Sequence, residues 1–271
     1  MSYIEEIMKQ DVPVIRFDSL EKTGLVKHGF STKKGGVSEG IYSTMNLGLK
    51  RGDDIGRVKT NFQIMARTLG VPYEKMVLSD QTHTVNVRKI TGLDAGKGLI
   101  REKDYTDVDG IMTNEPGIVL VTFYADCVPL FFLDPVKKVI ALSHTGWRGT
   151  VNKMGLVTVN KMHQEYQSNP EDIIACIGPS ICQKCYEVSE EVAEEFEKNF
   201  GTTEMFYKKD NGKYQLDLWK ANEIVLKEAG IQENNIENRR ICTCCNSEYL
   251  FSHRKTNGKR GNLAAFMMLC E

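Results

Sequence analysis

Histidine is scarce in this chain: five positions, His28, His83, His144, His163 and His253, among 271 residues. That scarcity caps the metal chemistry one chain supports, and none of the five stands in a closely spaced His-x-His pair. An excess of one charge is missing too. Thirty-five Lys and Arg oppose thirty-six Asp and Glu, a formal net charge of −1, so no broad electrostatic footprint for nucleic acid is expected. No apolar run reaches the ~20 residues that cross a bilayer; the longest, Gly117 to Phe132, is broken by Asp126. The N-terminus, MSYIEEIMKQDVP, is acidic and lacks the apolar stretch of a secretion signal, which makes the cytoplasm the expected location and a membrane partner unexpected. Eight cysteines are too sparse for a disulfide-stapled scaffold. In a reducing compartment each is then a core residue, a metal ligand or a nucleophile. Repeats, low-complexity tracts and Pro/Ser-rich linkers are absent, so one continuous domain over residues 1–271 is expected.

What is present is a mixture of strand and helix signals. Val26 to Thr32 reads as a strand followed by the Gly-rich, basic stretch Lys33-Lys34-Gly35-Gly36. Asp53 or Asp54 caps a predicted helix that runs to Leu69, where Gly70 stops it. Short strands are predicted at Met76–Leu78 and Val85–Ile90, flanking Ser79-Asp80-Gln81-Thr82-His83. In the centre, Ile118–Tyr124, Leu130–Leu133 and Val139–Ser143 are apolar, strand-length runs of the kind that sit inside a sheet covered on both faces. Thr150–Tyr166 reads as a helix, Ile173–Ile177 as a strand, Ser189–Phe200 and Leu216–Ala229 as helices, and Tyr249–Ser252 and Leu263–Leu269 as strands. Strands and helices without strict alternation give an α+β or layered α/β class.

Two reactive groups fall at the ends of buried strands, where side chains converge over a rigid scaffold. Ala125-Asp126-Cys127 follows one strand and His144-Thr145-Gly146-Trp147-Arg148-Gly149 another. A polar Asp126-Cys127 pair inside an apolar run costs stability unless its groups are paired. Alone, Cys127 reads as a core thiol and His144 as a structural histidine. Together, and with His83 in its polar loop, they offer two imidazoles and a thiolate with an open fourth position, the pattern of a catalytic zinc. The same set suits copper, and a Cys/His pair without metal reads as an activated nucleophile. Spacing alone does not choose among them.

The segments HGFSTKKGGVSEGIYSTMNLGL, DQTH, DVDGIMT, YADCVPLFFL, SHTGWRG, CIGPSICQKCYEV and FSHRKTNGKRGNLAAF occur in that order across roughly residues 25–270. This pattern resembles the YfiH/YlmD family, also called the polyphenol oxidase or laccase-domain family. The resemblance implies a layered α/β/β/α sandwich with mixed central strands. It also implies a metal triad on His83, Cys127 and His144, and an enzyme acting on purine nucleosides. The implied reactions are phosphorolysis of adenosine, inosine and methylthioadenosine to free base and ribose 1-phosphate (or methylthioribose 1-phosphate), and deamination of adenosine. An older description of the family is copper-dependent phenol oxidation, and a likeness to cysteine deamidases keeps a metal-free hydrolase in play.

Multicopper chemistry asks for a trinuclear cluster and about ten histidines by copper's ligand preferences, which five histidines exclude within one chain. One copper at His83/Cys127/His144 remains an alternative to zinc. For deamination, zinc brings the pKa of bound water to about 7, and Asp126 is the first candidate to carry the proton, with orientation of the site as its other reading. The chain lacks the H-x-E…P-C-x-x-C pattern of the usual zinc deaminases. For phosphorolysis, Arg148, Arg51 and Arg254 are candidate phosphate contacts, each also readable as an ordinary ion-pair partner, with Asn46 beside Arg51 in the same loop segment. Lys33-Lys34-Gly35-Gly36 is not a P-loop and reads as a flexible rim. Trp147 and Tyr42 are candidate stacking partners for a purine, and His253 a residue that approaches the site. Cys182-x-x-Cys185 with Cys242-x-Cys244-Cys245 suggests a structural zinc, but the irregular second cluster counts against it. A binding module with a closed, structural zinc is the non-enzymatic alternative. Small-molecule nucleosides and phosphate are the expected partners, with no obligatory protein partner.

Overall fold

The computed structural model describes residues 3–271. Fourteen strands follow in chain order among them: β1 Val14–Ile15, β2 Val26–Ser31, β3 Met76–Leu78, β4 Val87–Lys89, β5 Gly110–Thr113, β6 Val119–Tyr124, β7 Val128–Asp134, β8 Val139–Thr145, β9 Ile174–Ile177, β10 Glu187–Val188, β11 Phe206–Lys208, β12 Tyr214–Leu216, β13 Ile236–Asn238 and β14 Leu263–Leu269. They make a five-stranded sheet ordered β1-β2-β14-β6-β3, a six-stranded sheet ordered β13-β9-β7-β8-β5-β4, and a small sheet ordered β10-β12-β11. Both large sheets are mixed. β6 is antiparallel to β14 and parallel to β3, while β7 is antiparallel to both β8 and β9, and β13 joins β9 in parallel.

The two-residue period of a strand sorts the apolar side chains into layers. From β7, Phe131 and Leu133 join Leu120 of β6 and Ala265 and Met267 of β14 in a core between the two large sheets. The alternate residues Leu130 and Phe132 face the other way, with Ala141 of β8, and meet Val159, Met162, Phe196 and Leu226 from the helices Met154–Tyr166, Glu190–Phe200 and Leu218–Glu228. On the opposite side, helix Ile55–Leu69 lays Val58, Phe62, Met65 and Leu69 on Val119, Val121 and Phe266. The architecture is an α/β/β/α sandwich, with strands buried on both faces as their near-continuous apolar runs require.

Helix Ile55–Leu69 starts where Asp54 accepts the Arg57 N–H at 2.8 Å and ends on Gly70 at φ 65°, the cap and left-handed stop expected of that sequence. Three expectations need correction. The stretch Thr150–Tyr166 is two helices, Trp147–Val151 and Met154–Tyr166, because Lys153 turns left-handed at φ 54°. Leu216 belongs to β12, and the helix that follows begins at Leu218, capped by Asp217. Tyr249–Ser252 forms no strand; Ser252 instead caps the short helix His253–Thr256. Among the described residues no helix is long and apolar enough to cross a membrane.

Candidate metal centre and substrate cavity

The chain passes from the five-stranded to the six-stranded sheet in three residues, Ala125-Asp126-Cys127, between the end of β6 and the start of β7. Asp126 makes the corner at φ 84°, and its carboxylate holds the corner by accepting the Thr243 hydroxyl and the Arg254 N–H, each at 2.6 Å. Cys127 therefore lies in the cleft between the sheets. His144 stands one residue from the end of β8, in register with Pro129 of β7. His83 comes in on the loop after β3. One ligand atom from each of His83, Cys127 and His144 lies within 4.8 Å of the others, so three residues remote in the chain meet at one point.

Asp109, which nothing in the sequence sets apart from an ordinary turn aspartate, builds this meeting. It is fully buried, and its carboxylate accepts the Thr82, His83 and Thr84 N–H groups at 3.0, 3.1 and 2.9 Å. Three successive N–H groups curl around one anion as in other anion nests, and His83 is held left-handed at φ 67°. The same carboxylate bonds Nδ1 of His144 at 2.7 Å, leaving Nε2 as the ring nitrogen it can offer beside His83 and Cys127. Burial opposes ionisation of Asp109, but the bonds from His144, Thr82 and Thr84 outweigh it and hold the carboxyl below its ordinary range. His144 answers in the opposite sense. Against the desolvation that lowers it, Cys127 and Asp109 raise its pKa to about 9. His83 is lowered, by desolvation first and then by His144. Gly146 completes the arrangement by having no side chain: a Cβ there would lie 3.1 Å from Nδ1 of His83 and 3.2 Å from Sγ of Cys127. Gln81 ties the His83 loop to β6, its amide exchanging hydrogen bonds with the Phe123 backbone at 2.7 and 2.8 Å.

The triad lines a cavity of about 580 Å³ together with Phe123, Tyr124, Tyr186, His253 and a cationic wall of Arg51, Arg254 and Arg260, within the usual size range of small-molecule sites. Burial first and then Arg260 lower the pKa of His253. The guanidinium of Arg51 donates to the Gly258 carbonyl at 3.2 Å, and that of Arg254 to the carbonyls of Cys185 and Glu187. Arg260 bonds Gly261 and Asn262. Backbone carbonyls, the Asn262 amide and, for Arg260, Nδ1 of His253 at 3.4 Å hold these guanidiniums, and among the described residues the buried Nε atoms of Arg51 and Arg260 have no hydrogen-bond partner. Desolvation and the nearby Arg51 depress Arg260 to about 10.

Of the expected substrate contacts, Arg51 and Arg254 line the cavity, and His253 does approach it. Asn46 does not line it. It is fully buried, and its amide is taken by Asp53, Gly48 and Asn262, which braces the loop that carries Arg51. Arg148 is exposed and stacks over Trp147 at 4.2 Å, outside the lining. Tyr42 donates its hydroxyl to the Arg51 carbonyl. Lys33 and Lys34 are tied to the backbone carbonyls of Ser247, Met8 and Gln10 and form no rim. Elsewhere, Nε2 of His28 accepts the Phe17 N–H and Nδ1 of His163 meets the Ser168 carbonyl, so no histidine beyond His83 and His144 joins the centre. Arg260 carries no signal of its own in the sequence, since the run Lys259-Arg260-Gly261-Asn262 has the composition of a surface turn.

A family model described as multi-copper polyphenol oxidoreductase laccase matches residues 27–270. Purine nucleoside phosphorylase YlmD of Bacillus subtilis is 36% identical over 248 residues, 90% of this chain and 88% of that protein. Adenosine deaminase RL5, from an unknown prokaryotic organism, is 35% identical over 87% of this chain and 93% of its own. Among solved structures, YfiH of Bacillus licheniformis superposes with a TM-score of 0.91 at 32% identity, covering 97% of this chain and 98% of that one. The chain belongs to the multi-copper polyphenol oxidoreductase laccase family, the family of YfiH and YlmD, and it is an enzyme.

Proposed function

We propose that this enzyme cleaves purine nucleosides by phosphorolysis, with deamination of adenosine as a second activity, at a zinc held by His83, Cys127 and His144. The observation that carries the reading is the opposition, across one cavity, of a three-ligand group with no fourth protein donor among the described residues and three arginines, Arg51, Arg254 and Arg260, whose guanidiniums form no ion pair with a carboxylate of those residues, Asp126 acting on Arg260 only at longer range. The names of the relatives, a purine nucleoside phosphorylase and an adenosine deaminase, support the substrate class. Two imidazoles and one thiolate fit zinc, and fit copper as well. When bound, zinc supplies Lewis acidity to whatever group enters the cavity.

The chain's own residues do the rest. Arg51, Arg254 and Arg260 receive phosphate, their forked N–H groups matching its oxygens, and hold it for the ribose carbon. An oxygen of hydrogen phosphate bonds to C1′ as the C1′–N9 bond breaks, and the proton of that phosphate leaves with the base. Phe123, Tyr124 and Tyr186 give the base an apolar wall. Asp126, with both oxygens engaged, is a positioning residue that fixes the backbone of Arg254. Asp109 orients His144 and the loop of His83.

A second reading has one observation in its favour. Cys127, His144 and Asp109 also line up as thiol, imidazole and orienting carboxylate, the order of a metal-free nucleophile. Product analysis separates the two. Zinc-loaded protein given inosine or adenosine should release base together with ribose 1-phosphate only when phosphate is present, and chelation should abolish it. Arg260→Leu should raise the KM for phosphate at least tenfold. Base release indifferent to phosphate and to chelation overturns the proposal in favour of the metal-free reading.

A further inference from the structure

Eight cysteines leave a second cluster that the cavity does not use. Cys182 and Cys185 flank a short turn after β9, and Cys242 and Cys245 flank another that leads to the helix of Arg254. The second pair is itself a Cys-x-x-Cys; Cys244 interrupts the pattern in the sequence but stands outside the group. The four Sγ atoms lie within 4.8 Å of one another, with Cys185 and Cys245 3.5 Å apart and Cys182 and Cys245 3.9 Å apart. A disulfide needs about 2.05 Å. Sulfurs arranged tetrahedrally around an ion at a Zn–S distance of about 2.3 Å sit about 3.8 Å from each other.

We propose that Cys182, Cys185, Cys242 and Cys245 form a second metal site, a closed tetrathiolate that takes zinc and staples two walls of the cavity together. The backbone is already built for it. Both the Cys182 and the Cys245 N–H point at Sγ of Cys242, each at 3.3 Å, two donors for one sulfur, as a metal-bound thiolate prefers. Ser180 and Cys242 pair as a parallel bridge, and Asn246 caps the second turn on the Cys242 carbonyl. Four sulfurs with no oxygen or imidazole among them make a soft set suited to zinc. Cys242 is buried while Cys245 is exposed, so an ion reaches the site from solvent. With every position filled by protein, the site has no place for a reactant and acts through structure.

Its consequence reaches the cavity. The Ile181 N–H bonds the Asp126 carbonyl at 3.0 Å, the Thr243 hydroxyl bonds the Asp126 carboxylate, and Arg254 donates to the Cys185 carbonyl. Each knuckle thus touches the corner that sets Cys127 and the arginine wall, and the metal fixes them relative to each other.

The full chain, purified under reducing conditions and saturated with zinc, tests this by metal counting. Wild type should carry two equivalents, Cys127→Ala one, and a Cys182→Ser/Cys245→Ser double variant one, the last unfolding at lower temperature. Because the double variant can fail to fold, wild-type protein loaded with cadmium gives an independent readout. Its 113Cd spectrum should contain a resonance in the far-downfield range of four-sulfur sites, and Cys127→Ala should retain it. A wild type with a single equivalent that Cys127→Ala abolishes, a 113Cd spectrum without the four-sulfur signal, or a disulfide among these cysteines under reducing conditions overturns the proposal.

Discussion

At the residue scale, Asp109 is the position on which the triad depends, although it touches neither cavity nor substrate. One carboxylate sets the loop of His83, the free nitrogen of His144 and the tilt between their rings, whose centroids are 4.9 Å apart. Asp109→Asn keeps the shape but replaces an acceptor oxygen with a donor facing N–H groups. Partners of this kind are worth 10–100-fold in metal affinity, so zinc affinity, measured by competition with a chromogenic chelator, should fall by that order. An unchanged affinity would show that His83 and His144 are held by other means. The sequence made the reactive atoms visible and hid their support. Cys127 and His144 stood out as polar residues ending apolar strands, whereas an aspartate in Asp107-Val108-Asp109-Gly110 has the look of any turn or cap.

At the element scale, helix Ile55–Leu69 does more than cover a sheet. Its Asn61, fully buried, donates to Ser38 Oγ and the Asn46 carbonyl at 2.9 and 2.8 Å and accepts the Val37 N–H at 2.8 Å. It thereby pins the segment leading to Arg51. Asn61→Ala leaves those groups unmet in the interior, where each lost partner costs about 1–3 kcal/mol. Urea unfolding should show a loss of about 3 kcal/mol, accompanied by a higher KM for phosphate; a loss under 1 kcal/mol would mean that water or repacking replaces the amide. Elements with strong local signals were legible here. Asp54 and Gly70 bracket this helix, and the apolar runs of β6, β7 and β8 announce buried strands. The break at Lys153 carries no glycine or proline to mark it. The strands β10, β11 and β12, two or three residues each, are too short for alternation to register. Cys244 obscured the spacing of Cys242 and Cys245 in the same way, one residue blurring a pattern that only folding separates.

At the scale of the whole molecule, the core between the sheets buries a titratable imidazole. His28 is buried on β2, where it accepts the Phe17 N–H and packs near Phe131. Desolvation, reinforced by Arg16 and Arg239, lowers its pKa from 6.5 to about 3. Between those values the unfolded chain binds a proton that the native one refuses, so stability falls as the solution is acidified through this window. At pH 5 the loss from this group is about 2 kcal/mol. His28→Gln, which can accept the same N–H without titrating, should be less sensitive to acid between pH 7 and pH 5 in urea unfolding, and parallel curves for the two proteins would dismiss the effect. The three apolar clusters share the strands of the two large sheets, from which we infer one cooperative domain.

The meeting of His83, Cys127 and His144 around a zinc with room for substrate is tested most directly by one paired measurement on Cys127→Ala, bound metal and inosine turnover side by side with wild type. The account predicts that the variant stays folded, carries one fewer zinc and makes no ribose 1-phosphate. A variant that loses the zinc yet turns over inosine at the wild-type rate would contradict it.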